Sequence, residues 1–428
     1  MASEKFQTEL AEELKARAYS RRPLVLYGSG QLSRSLIWSL SDLLIAYHLN
    51  VRVGLTAYHT GMLLFGSALL GAVLDIIVAT LVSRLHDPLR SSLRLQAISG
   101  CMAVSAALAL FGPTPNNEVE SLIYLYGASL VFRAAYAVMD VTQNALTSLL
   151  PRNADQASAF VSTRTIVSSI GRLAAASLVF LAMERSSDAL ADLKAVILIA
   201  VPVVISVLAL ASVETKALPE THQPADWKGL PYRRLAAPLI AVVSEVAFLG
   251  LAGPIMALVP NSASGQSLLF AMVCGTVIGP LLGRARGHTS IATPVFPIVA
   301  TLCAIGLLLP TSAWWAVALA FAFGVASSAV TNLIWQRVAW IVRDVASATG
   351  KRIDVTAFAL LTASIKVGIA ISGGLLGFQL DGVRAGSAFG IGSTAALFGA
   401  GGLLTALALS AEMLPRRGSV PAVPVPAS

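Results

Sequence analysis

Charge is scarce in this sequence. Only 12% of its 428 residues are charged, against 56% hydrophobic, whereas a soluble chain carries roughly a quarter. That excludes a chain made of ordinary soluble domains. Cysteine is nearly absent: Cys101, Cys274 and Cys303 each stand in apolar stretches with no CxxC or Cys/His grouping. Disulfide frameworks and structural metal sites are therefore excluded, and the three read as small core residues. No HExxH, GxSxG or GxxxxGK[ST] occurs, so metalloprotease, hydrolase and nucleotide-driven pump readings have no support, and neither catalytic residues nor a cofactor are expected. Gly283-Arg-Ala-Arg-Gly287 is a basic loop rather than a phosphate cradle. The start lacks the short apolar run and small-residue site of a cleavable signal. Phe6, Leu10 and Leu14 recur there at helical spacing, as in a short amphipathic helix that is solvated or lies on a membrane surface.

What is present is long apolar runs. A helix needs about 20 apolar residues to cross a bilayer, and twelve such runs fill the chain, near 24–49, 58–83, 95–112, 121–147, 158–183, 191–213, 235–259, 265–283, 290–309, 313–341, 355–380 and 387–412. The expected class is an all-α membrane protein of twelve transmembrane helices. Its expected divisions are a segment 1–23, a six-helix half 24–213, a linker 214–234 with Pro219, Pro224 and Pro231, a second half 235–412, and a Pro/Ala/Val-rich disordered tail 413–428.

The net charge of +8 does not indicate nucleic acid, because the basic residues sit in alternate loops. Lys15, Arg17, Arg21 and Arg22 precede the first span; Arg84, Arg90 and Arg94 follow the second; Lys216, Lys228, Arg233 and Arg234 lie in the linker; Arg343, Lys351 and Arg352 follow the tenth. The opposite loops hold only Arg52, Arg185, Lys194 and Arg384. Basic residues stay on the cytoplasmic side, so both termini and the linker are expected in the cytoplasm, with the chain in a bacterial inner membrane. Six plus six helices about a central linker is the pattern of major facilitator transporters.

Three stretches sharpen this. They are Tyr27-Gly-Ser-Gly30 with Val53-Gly-Leu-Thr56 and Gly61; Met139-Asp-Val-Thr-Gln-Asn-Ala-Leu146 with Arg152-Asn-Ala-Asp155, Arg164 and Gly171; and Thr349-Gly-Lys-Arg352 with Lys366, Gly373, Gly374 and Gly377. In this order and spacing they resemble the glycoside–pentoside–hexuronide cation symporters. The resemblance implies a sugar-like solute, a coupling cation and a charged site. The span-four carboxylate matches Asp140, the inner span-two carboxylate Asp75, the span-five arginine Arg164 and the span-eleven lysine Lys366. The outer span-two carboxylate falls on Gly71 and the sugar-gripping span-one carboxylate on Ser35. The chain is thus a divergent member of that pattern.

The residues support a site without the resemblance. An ionisable group at membrane depth costs at least ~2.5 kcal/mol, so it needs a partner or water and marks a functional site by default. Asp75, Asp140, Arg164 and Lys366 lie well inside apolar runs, two anions and two cations able to neutralise one another. Arg34 stands eight residues before Asp42 on one face of span one, or reaches the cytoplasmic surface. Glu245 in span seven is an additional candidate, as a proton site or as the partner of Arg337 in span ten. Trp38, Tyr136, Gln143, Asn144, Trp335 and Gln336 offer ring faces and amides to a solute, or pack and anchor helices. The expected binding set is Asp140, Arg164, Lys366, Ser35, Trp38, Gln143 and Asn144, with Asp75 and Asp140 as coupling-ion residues.

The expected function is proton-coupled symport of a small sugar-like solute by a monomer. The proton is placed ahead of sodium because Gly71 removes oxygens from a sodium cage, while a proton needs a single buried carboxylate. A carrier of lipid-like solutes, a metabolite exporter, and a non-transporting sensor or assembly factor are the alternatives.

Overall fold

The structure, a computed structural model, describes residues 23–40, 44–85, 87–115, 117–150, 154–184, 190–212, 227–258, 264–282, 292–349 and 353–411. Outside these lie the expected amphipathic N-terminal helix, the tail, Asp42, the Gly283–Gly287 loop, and Lys351 and Arg352.

Among the described residues there is no strand, and twelve long helices follow one another. Helix α1 spans 23–40 and resumes as Ile45–Tyr47 and a π-helical turn, His48–Arg52. Then come α2 (Ala57–Ser83), α3 (Pro88–Leu110), α4 (Glu118–Leu149), α5 (Ala154–Glu184) and α6 (Ala191–Ala211). The second six are α7 (Tyr232–Phe248), α8 (Gly265–Leu282), α9 (Ala292–Gly306), α10 (Ala313–Thr349), α11 (Asp354–Arg384) and α12 (Ala388–Ala411). Local chemistry sets several ends. Thr56 caps α2 by accepting from the His59 amide, Asp87 caps α3 ahead of Pro88, and Asn117 caps α4. Gly54 and Gly386 take φ of 78° and 64° in the turns before α2 and α12, where a side chain would be strained.

Eight of these helices are long and apolar enough to cross a membrane by length and composition, and α5, α8 and α9 carry shorter apolar stretches. Large apolar side chains such as Ile98, Ile123, Leu198, Leu302 and Leu403 point outward, as suits a lipid surround. Helix ends differ from expectation where the helix outruns its apolar part. Helix α10 continues eight residues beyond the expected 341, and Asp344 in that extension meets Arg234 of α7 at 2.6 Å. The expected linker end at 234 also moves. The turn Trp227–Gly229 and the start of α7 at Tyr232 are ordered because Leu230 and Leu235 bury among Val330, Ile334 and Leu361 of α10 and α11.

Each six packs within itself, α3 on α4 and α6, and α7 on α11 and α12, for example. The sixes meet chiefly where α2 lies along α11 and α5 against α8, and α4 also touches α11. The first is a glycine contact. A Cβ on Gly61 would stand 2.7 Å from the Gly373 carbonyl and 2.8 Å from Gly377 Cα, so only glycine lets these backbones meet.

Candidate functional site

A cavity of about 370 Å³ lies between the two sixes. Helix α4 turns Tyr136, Asp140, Asn144 and Thr147 toward it, roughly one residue per turn. Helix α1 adds Arg34, Ser35 and Trp38, and α5 adds Arg164, Ser168 and Arg172. The second six contribute Glu245 from α7, Ser327, Thr331 and Trp335 from α10, and Phe358, Thr362 and Lys366 from α11.

The charges form one connected chain. Lys366 Nζ bonds Asp75 Oδ1 and stands 3.6 Å from Asp140 Oδ2. Arg34 Nη1 meets the other Asp140 oxygen at 2.6 Å. Asn144 donates to Asp140 Oδ1 at 3.2 Å and accepts from Arg164 Nη2 at 3.2 Å. The Arg164 guanidinium then lies 3.6 Å above the Trp335 ring. Lys366 and Arg34 therefore neutralise the two anions in a desolvated place, which is what buried charge requires, and Arg164, held through Asn144, leaves the chain with three cations to two anions. The chain crosses between the sixes twice, at Lys366 and at the Arg164–Trp335 stack. Lys366 also sits 5.3 Å from the Tyr136 ring centre, and Trp38 tilts onto that ring at 5.1 Å.

Gly71 has a reason here. A Cβ at Gly71 would come within 3.3 Å of Lys366 Cδ, so the lysine stem passes where a side chain would otherwise stand. Asp75 is fully buried behind that ammonium and is not among the residues lining the cavity.

Other candidates sort by where their polar atoms go. Ser35 lines the cavity, but its hydroxyl donates to the Ser168 carbonyl at 2.7 Å, tying α1 to α5. Gln143 does not line it. Its amide is spent on Gln96 Nε2 at 3.0 Å and the Tyr27 carbonyl at 3.2 Å, because its side chain turns to α3 and α1. Arg34, read on one face of span one with Asp42 or as reaching the cytoplasmic surface, is bound to Asp140, while Asp42 lies outside the described residues. The Gln31 amide oxygen, oriented to suit both neighbours, also accepts from Arg34 Nη2 at 2.7 Å. Glu245 faces the cavity and accepts from Ser327 and Thr331. Arg337 lies with its guanidinium over Trp340 at 5.3 Å and is not a lining residue. Ser327 and Thr331 were not singled out by sequence. Their spacing of four on α10, opposite a lone span-seven glutamate, was the available signal.

The cavity is bounded on the side away from the linker. There Arg384 Nη2 of α11 donates to Asn50 Oδ1 in the π-helical turn at 2.8 Å, and its Nε to the Leu258 carbonyl at 3.1 Å. Behind this seal His48 Nδ1 meets Asp192 Oδ2 at 2.7 Å, with Arg52 Nε 3.5 Å from the other oxygen. On the linker side Trp227 Nε1 donates to Thr80 Oγ1 of α2 at 2.9 Å.

Residues 26–226 match the family model described as MFS/sugar transport protein. No curated protein matches the sequence. Solved structures match over nearly the whole chain. A proton-dependent oligopeptide transporter aligns at TM-score 0.62 and 14% identity, over 92% of this chain and 97% of its own. The nucleoside transporter NupG gives 0.60 and 14%, over 91% and 98%. A bacterial homologue of the lysosomal transporter Spinster, inward-facing and unoccupied, gives 0.61 and 14%, over 92% and 97%.

The chain has the major facilitator fold. It is a multi-pass, all-α membrane protein of two six-helix halves, and the cavity lies where those halves meet. In major facilitator terms α2–α11 and α5–α8 are the seams between halves, and the charged chain spans the space they enclose.

Proposed function

We propose that the chain is a secondary active transporter that carries a small solute by alternating access, in the manner of the glycoside–pentoside–hexuronide symporters it resembles. The carrying observation is the charged chain from Asp75 to Trp335, which links the halves through contacts that a bound solute would compete for. Ring faces at Trp335, Phe358 and Trp38, with Asn144, Ser168 and Thr331 between them, suit a hydroxylated ring. Asp140, Arg164 and Lys366 are the charged groups that orient it.

The coupling ion on this reading is the proton. The Lys366 ammonium already takes the place beside Asp75 and Asp140 that a sodium ion would need, and Gly71 supplies no further oxygen. On this reading the chain works as a monomer in a bacterial inner membrane, with both termini and the linker in the cytoplasm, an orientation that the basic loops support. An amphipathic solute is the second reading, because Leu269, Met272, Phe323 and Ile369 give the cavity an apolar flank.

Flux in liposomes tests this. Labelled monosaccharides, aryl glycosides and a lysolipid are offered under an imposed pH or sodium gradient. A hydroxylated ring compound is expected to accumulate with the pH gradient and to ignore sodium. Sodium-driven accumulation would overturn the coupling, and movement of the lysolipid alone would favour the second reading.

A further inference from the structure

Asp75 and Asp140 each have a cation within ion-pair reach. Glu245 is placed differently. It sits in the middle of the apolar stretch Tyr232–Met256, is 3% exposed, and still faces the cavity. Its hydrogen bonds come from hydroxyls: Ser327 Oγ to Oε1 at 2.8 Å, and Thr331 Oγ1 to both oxygens at 3.1 Å.

We propose that Glu245 is the proton-binding carboxylate of this cavity, held by Ser327 and Thr331. A carboxylate at such depth is neutralised by a cation or by a proton. Among the described residues of the neighbouring elements no cation is bonded to it. On α11, Lys366 is engaged by Asp75 and Asp140. On α10, Arg337 lies over Trp340. Helix α12 has no titratable side chain. Arg172, on α5 across the cavity, is the charged group whose field reaches Glu245.

The hydroxyl partners suit both states. A hydroxyl donates to the ionised carboxylate and, by rotating, accepts from the neutral one; a guanidinium can only donate. The step is a simple transfer: a hydronium ion in the cavity gives its proton to a Glu245 oxygen and leaves water, and the neutral acid returns the proton to water, regenerating hydronium and the carboxylate. Asp75, behind Lys366, has no such route. The ionised form attracts Arg172, which belongs to the other half, and protonation removes that attraction. Proton occupancy then biases how closely α5 and α7 approach. The assignment deepens the proton-coupled reading and rests on it for its role in transport.

The test uses the full chain in lipid nanodiscs with the proton as the probe, by infrared difference titration of the carboxylic-acid C=O band. The wild type is expected to show a titrating band from about pH 5 to about pH 9. The band is expected to vanish in Glu245→Gln and to remain in Asp75→Asn. Thr331→Val is expected to move the midpoint by about half a pH unit or more. Should Glu245→Gln fail to fold, Glu245→Asp serves instead, and its band is expected to shift. A band that survives Glu245→Gln, is unchanged in Glu245→Asp, is lost in Asp75→Asn, or is missing from the wild type overturns the assignment. A titrating Glu245 in a chain that carries no solute under any gradient supports the assignment and overturns the transport reading alone.

Discussion

Lys366 is the side chain on which most of the buried charge depends. Its stem crosses Gly71, and its ammonium serves Asp75 and Asp140 from the opposite half. Removing one partner from a buried pair leaves the other uncompensated, at a cost of about 3–5 kcal/mol. Asp140 keeps Arg34, so Asp75 is the group stranded. Lys366→Ala is therefore expected to lower the thermal midpoint and membrane yield sharply, and Lys366→Ala with Asp75→Asn to recover much of both. Thermal unfolding in detergent checks it; a single variant as stable as the wild type would contradict the dependence. Residues of this kind were legible in sequence because a charge inside an apolar run is anomalous wherever it pairs. Their partners were less so. Nothing near Arg34 in sequence pointed to its partner, because Asp140 lies 106 residues away, where only the packing of α1 on α4 brings it. Ser327 and Thr331 offer only their spacing of four on α10, a weak signal because hydroxyls in helices commonly bond their own backbone.

Among the elements, α2 and α11 carry the seam, and glycine makes it. Gly373 has so little room that a Cβ would stand 2.7 Å from Leu64 Cβ. Gly373→Leu is expected to force the pair apart on the side away from the linker, and so to raise thiol labelling of Tyr47→Cys by a water-soluble maleimide. Unchanged labelling would show that the seam tolerates bulk. The apolar runs gave these helices their number and order, since each needs enough length to span a bilayer. They gave the ends poorly. Hydropathy falls at Arg343 and Asp344, but the hydrogen-bonded ladder of α10 does not, and it runs on to Thr349. The break in α7, where a 3-10 turn at Leu249–Leu251 precedes Ala252–Leu258, leaves no hydropathy trace, because every residue there but Gly250, Gly253 and Pro254 is simply apolar.

For the whole molecule, alternating access requires the contacts on one side of the cavity to part while those on the other hold. The side away from the linker has a small, specific set. Arg384 of the second half reaches Asn50 of the first, and the α1 extension Ile45–Tyr47 packs on Ala252–Leu258. The linker side has Trp227 on Thr80 and, deeper, Arg164 on Trp335. If the halves rock about the cavity, Asn50 and Arg384 must separate once in every cycle. The variant Asn50→Cys/Arg384→Cys, joined by a short thiol crosslinker, is expected to stop flux in liposomes, and reduction or cleavage of the linker to restore it. Each single variant isolates the lost hydrogen bond and is expected to keep flux. Labelling from outside intact cells fixes which side this is: Asn50→Cys is expected to react and Lys228→Cys to stay protected, as the basic loops require. Full flux through a chain crosslinked at this pair would mean that the seal between Asn50 and Arg384 does not open in transport, and that the halves move about some other contact.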